Sequence, residues 1–71
     1  MLVWKRTERG FEAKGVGGLR YTLEHDYTGR RYRAVVHGPL GGSHERTGYH
    51  PVPLLKALEA AEDHHEKLRP A

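Results

Sequence analysis

The chain has 71 residues, of which 30% are charged and 37% hydrophobic, with a formal net charge of +3 and no cysteine. That balance excludes a disulfide framework and thiol chemistry, the length is that expected of one domain, and no apolar run approaches the roughly 20 residues that span a bilayer. Small secreted domains usually rely on disulfides, so the missing cysteines favour a reducing, cytoplasmic setting.

The N-terminal Met-Leu-Val-Trp-Lys-Arg brings charge in directly after the apolar residues and does not read as a signal peptide. Charge is unevenly spread: residues 1–50 hold nine Lys/Arg against five Asp/Glu, and residues 51–71 hold three against four. The positive field therefore belongs to the N-terminal part, which points to polyanionic partners. At this length a core rarely supplies more than about 3–5 kcal/mol, so a partner or a second copy has room to contribute.

Residues 2–7 read as a first strand, with Leu2 and Trp4 on one side and Val3 and Lys5 on the other. Glu8-Arg9-Gly10 reads as a turn and residues 11–14 as a short return strand, although Gly10 could equally mark a bulge in one continuous strand. Gly15-Val16-Gly17-Gly18 lacks the following helix that a phosphate-binding glycine loop requires, and reads as a flexible turn. Residues 19–37 carry the clearest signal. Leu19, Tyr21, Leu23 and His25 alternate with Arg20, Thr22 and Glu24; then Tyr32, Ala34 and Val36 alternate with Arg31, Arg33, Val35 and His37. A period of two is the signature of a strand, and the glycine near the end of residues 26–30 suits a longer hairpin loop. Gly38-Pro39-Leu40-Gly41-Gly42 ends the hairpin, since proline lacks the ladder amide. Residues 43–49 fit either a short edge strand or an extended link.

Pro53, or alternatively Pro51, suits the first position of a helix running to about residue 69. Leu54, Leu58, Ala61 and Leu68 form its apolar stripe, flanked by Leu55 and Ala57, with Lys56, Glu59, Asp63, Glu66 and Lys67 opposite. One amphipathic helix must cover one oily sheet face. The expected architecture is thus a single α+β domain over residues 1–71: a three- or four-stranded antiparallel meander (about residues 2–49) with one C-terminal helix packed on one face (about 53–69).

The opposite face would gather Lys5, Arg20, Thr22, Glu24, Arg31, Arg33 and His37. Guanidinium forks suit phosphates and guanine edges, and a narrow sheet can enter a DNA major groove. The plainer reading is a solvated face, with Glu12 and Glu24 partly neutralising the arginines. Tyr21 and Tyr32 share the side of Leu23 and Val36, which assigns them to the core; Tyr27, in the hairpin loop, is free to act as an exposed contact. Of the six histidines, none form a His-x-x-x-His pair, and adjacent His64 and His65 diverge by about 100° on a helix, so no metal site is expected. His65, within the apolar stripe, reads as a buried or interface histidine. Ser43, the only serine, neighbours His44 without an orienting acid, so no catalytic constellation and no cofactor are expected.

The order Trp4, Gly10-Phe11, Gly18-Leu19-Arg20-Tyr21, Tyr32-Arg33-Ala34-Val35-Val36 and a helix with Ala60-Ala61-Glu62 resembles short sheet-plus-helix proteins of actinobacteria and their phages. The architecture is also similar to that of three-stranded DNA readers, the AP2 domains of plants and the arm-binding domains of phage integrases. Those readers place sheet arginines and aromatics in the major groove, and the resemblance implies such a role for Arg20, Arg31 and Arg33. The glycine-rich segments and Glu24 depart from that pattern. The leading expectation is a non-enzymatic module binding duplex DNA through Arg20, Thr22, Arg31, Arg33 and Lys5. The alternative is a protein-interaction module, either a phage-encoded modulator of a host protein or a homodimer, with contacts at His65 and Tyr27.

Overall fold

The computed structural model describes residues 2–26, 28–48 and 50–68. Five strands, β1 (Lys5–Thr7), β2 (Gly10–Lys14), β3 (Arg20–His25), β4 (Tyr32–His37) and β5 (Ser43–Glu45), precede one helix, α1 (Leu54–Leu68). The strands lie in chain order in one sheet, each antiparallel to its neighbour. The protein is therefore an α+β meander with a C-terminal helix, carrying five strands rather than three or four.

Two local events account for the higher count. Glu8 and Arg9 form a two-residue turn that pairs Thr7 with Gly10, and the Thr7 hydroxyl accepts the Gly10 N–H at 3.1 Å. Gly10 has φ +150°, and a Cβ there would stand 1.8 Å from the Leu23 carbonyl oxygen, so only glycine lets β2 begin so close to β3. At the other edge, the chain after β4 lines the outer side of that strand and satisfies its backbone groups. Ser43–Glu45 pairs there without any apolar alternation. The pairing continues through Arg46 N–H to Ala34 O at 2.8 Å and a two-way exchange between Tyr32 and Val52 at 2.7 and 2.9 Å.

The loop between β3 and β4 is organised by Asp26. Its carboxylate accepts the Thr28 hydroxyl (2.6 Å) and the amides of Thr28 and Gly29 (3.0 and 3.1 Å). The Thr28 hydroxyl, followed by these amides, holds the carboxyl below the usual range.

One sheet face is oily. Phe11, Leu23 and Ala34 stand in one cross-strand row, and Ala13, Tyr21 and Val36 in the next. Tyr21 and Leu23 are the largest fully buried side chains. α1 covers this face with Ala57, Ala61 and His65, all buried, and small alanines let the helix backbone settle close to the sheet. The apolar stripe expected from sequence is thus rotated: Leu54 and Leu58 flank the contact half-buried, whereas Leu55 and Leu68 are 67% and 43% exposed. The helix starts one residue later than expected, with Pro53 outside it accepting the Ala57 N–H at 3.1 Å; Arg69 lies outside the described residues.

The N-terminal residues leave the sheet edge before Lys5 and cross to the helix side. Leu2 is buried among Ala13, Tyr21, Val36 and Ala61, and its N–H is accepted by both Glu62 carboxylate oxygens at 3.1 and 3.3 Å. Trp4 packs against both parts of the core. The other sheet face carries no covering element among the described residues.

Candidate nucleic-acid interface

Strand register sorts the open face into three cross-strand rows. Thr7, Gly10, Glu24 and Arg33 form the row nearest the β3–β4 loop. Lys5, Glu12, Thr22, Val35 and Glu45 form the middle row, and Lys14, Arg20, His37 and Ser43 the row at the opposite end. Four of the sequence candidates, Lys5, Arg20, Thr22 and Arg33, therefore share this face. Their electrostatic situations differ.

Arg33 stands opposite Glu24 and holds an ion pair with Glu45, Nε to Oε1 at 3.6 Å. Lys5 is paired in register with Glu12. Arg31 precedes β4, is exposed, and donates to the Pro51 carbonyl at 3.5 Å, so the structure does not bring it into a row with Arg20. Tyr27 lies outside the described residues.

The third row has a different character. Lys14 and Arg20 are direct cross-strand partners, both exposed. Gly15 donates its N–H to Leu19 O at 2.8 Å, which makes the adjacent Lys14–Arg20 pair the non-hydrogen-bonded kind. In such pairs the Cα atoms are about 4.5 Å apart and side chains stand closest. Like charges directly opposite each other are unfavourable, and no ion pair relieves either residue among the described residues. Next to them, the His37 Nε2 lies 3.0 Å from the Thr22 hydroxyl, which fixes the imidazole against the sheet. Sequence reasoning passed over Lys14. The signal was present, because a turn centred on Gly17 sets residues 14 and 20 at equal distances on either side.

Two depressions mark this face. One of about 370 Å³ mixes charges, with Glu8, Glu12 and Glu24 beside Arg9 and Arg20. The other, about 300 Å³, is lined by Gly18, Arg20, His37, Gly38, Pro39 and Gly41 and by no carboxylate.

The histidines on the helix side do not converge. Among the described residues no three His, Cys, Asp or Glu side chains could hold a metal ion. Tyr21 and His64 meet at 2.6 Å, hydroxyl to Nδ1. Burial raises the Tyr21 phenol above its usual value, against the pull of Arg46 and with a smaller push from Glu62. Burial foremost, with Arg46, Lys67, His44 and His65, lowers the His64 imidazole. Both shifts favour the neutral pair, in which the phenol donates to Nδ1. His65 is 8% exposed, stands edge-on to Tyr21 with ring centroids 6.3 Å apart, and has no hydrogen-bond partner at Nδ1. Ser43 belongs to the open face and His44 to the helix face, because adjacent strand residues point oppositely.

No protein-family model, curated protein or solved structure matches the chain. Among the described residues no helix is long and apolar enough to cross a membrane.

Proposed function

We propose that the protein is a small non-enzymatic binding module that engages nucleic acid, in the form of duplex DNA, through the open face of its sheet. The observation that carries this reading is the Lys14–Arg20 cross-strand pair. Two cations face each other in register, neither holds an ion pair among the described residues, and His37 stands in the same row. A fold of this size has little stability to spend on uncompensated repulsion, and an anion laid along the row would relieve it. Guanidinium groups contribute planar, two-pronged donation to phosphate, and lysine contributes a point charge. Arg33, Thr22 and Lys5 then border the contact, with Arg33 and Lys5 already beside acids and expected to add less.

Phosphate contacts release counterions, so affinity for a short duplex should fall steeply with salt, by a log–log slope of about 0.9 per contact. Fluorescence anisotropy with the Lys14→Ala/Arg20→Ala double variant should register weaker binding and a slope smaller by about 2. Wild-type protein that binds no duplex at low salt, or a double variant that binds as wild type does, would refute the reading.

A second reading, a protein-interaction module formed as a homodimer, is favoured by one feature. The buried His65 borders a groove of about 560 Å³ at the β1 edge, together with Val3, which is 80% exposed, Ala13, Lys5 and Lys14. Sedimentation decides it: this reading requires a dimer at high concentration that His65→Leu or Val3→Glu alters.

A further inference from the structure

We infer that the depression at the Arg20 end of the open face is a phosphomonoester pocket, and that it holds the terminal phosphate of a nucleic-acid strand lying on the sheet. The second half of this inference rests on the reading given above; the first half stands on the local geometry.

The end of the face is walled. The β2–β3 connection and the loop after β4 meet there, since a Cβ on Gly18 (φ +81°) would stand 3.2 Å from the Pro39 Cβ. A polynucleotide backbone running over the sheet from the Arg33 end therefore meets an obstacle just beyond Arg20 and His37. The cavity before that wall, about 300 Å³, is at the small end of ligand pockets. Half of its lining is glycine, namely Gly18, Gly38 and Gly41. Without Cβ atoms at those positions a ligand can approach the backbone closely; the Gly38 and Gly41 amides are donated within the loop, to Gly42 O at 2.6 Å and Gly38 O at 3.2 Å, so donation to an anion falls to Arg20 and His37.

The charge inside matches a dianion better than a bridging diester. Arg20 lines the cavity, is exposed and holds no ion pair among the described residues, and Lys14, outside the lining, faces it across the strands. His37, held by Thr22 at 3.0 Å, is the second nitrogen-bearing side chain of the lining. A bridging phosphodiester brings one negative charge. A phosphomonoester brings about −1.5 to −2 near pH 7 and three acceptor oxygens, which answers both cations at once. A strand that ends at the wall presents such a group, and a strand that continues does not.

The test uses three labelled duplexes of one sequence, ending in a 5′-phosphate, a 3′-phosphate or hydroxyls, and amide chemical shifts with inorganic phosphate as a separate probe. One phosphorylated end should bind about tenfold more tightly than the hydroxyl end, as expected for a charge-assisted two-pronged contact. Arg20→Met should erase that difference while circular dichroism stays that of the folded protein. Inorganic phosphate should move the amides of Gly18, Arg20, His37 and Gly41. Equal affinity for all three ends, with no phosphate-induced shift, would overturn the pocket and leave sheet binding intact. Phosphate-induced shifts without binding of any duplex would uphold the pocket and overturn the nucleic-acid reading.

Discussion

The two ends of the open face are built on the same strands and differ in how their cations are held. At the Arg33 end, Glu24 stands directly opposite on β3 and Glu45 closes an ion pair at 3.6 Å; at the Arg20 end, the residue directly opposite on β2 is Lys14. Exposed ion pairs contribute little to stability, typically below about 1 kcal/mol, so the acids at the Arg33 end matter more for silencing charge than for holding the fold. The lesson is that counting arginines on a sheet face overstates its binding power. The relevant quantity is how each cation is partnered, and at one end of this face Lys14 and Arg20 stand opposite each other instead of opposite an acid.

The largest effect should come from removing the platform common to both ends. Leu23 is fully buried, packed with Ala34 and Ala57, and Leu23→Ala should cost about 2–5 kcal/mol in denaturant unfolding, taking binding with it. Next comes the contrast itself. Arg20→Met should weaken binding to the hydroxyl-ended duplex and lower its salt slope by about 1, whereas Arg33→Met should change affinity by less than about threefold, because its charge is already answered. Equal losses would erase the distinction between the ends.

Tyr21→Phe removes the hydroxyl bonded to His64 and should cost about 0.5–1.5 kcal/mol of stability, with no change in the salt slope of binding. The same pair sets a pH dependence. The folded His64 is held below its usual value, so the stability it contributes is present above the unfolded value of about 6.5 and is lost as pH falls through the folded one. Unfolding should therefore show a smaller acid-side loss in His64→Gln than in the parent protein. The smallest stability effect belongs to Glu45→Gln, below about 1 kcal/mol. That change should nevertheless raise DNA affinity and steepen the salt slope, by freeing Arg33.

The hairpin of β3 and β4 was legible in the sequence because each strand has six residues and one buried face, so the apolar period of two is repeated often enough to read. β1 and β5, three residues each, bury no side chain fully. Backbone pairing holds them, helped by the Thr7 hydroxyl at β1 and the Arg33–Glu45 ion pair at β5, and none of these leaves an apolar alternation in the sequence. The helix was legible in place and only partly in orientation, since its contact line of Ala57, Ala61 and His65 ranks low in hydrophobicity beside the leucines that flank it. At the site, Arg20, Thr22, Arg33 and Lys5 could be assigned to the open face by alternation. The role of Lys14 depended on register, and the silencing of Arg33 depended on the β5 pairing that sequence left open.

The most direct test of the account is amide chemical-shift mapping of the protein titrated with a short hydroxyl-ended duplex. Shifts confined to the open face, largest at Lys14, Arg20 and His37 and small at Arg33, are the predicted result. Shifts centred on the exposed side of α1, or an even spread over the arginines of both ends, would contradict it.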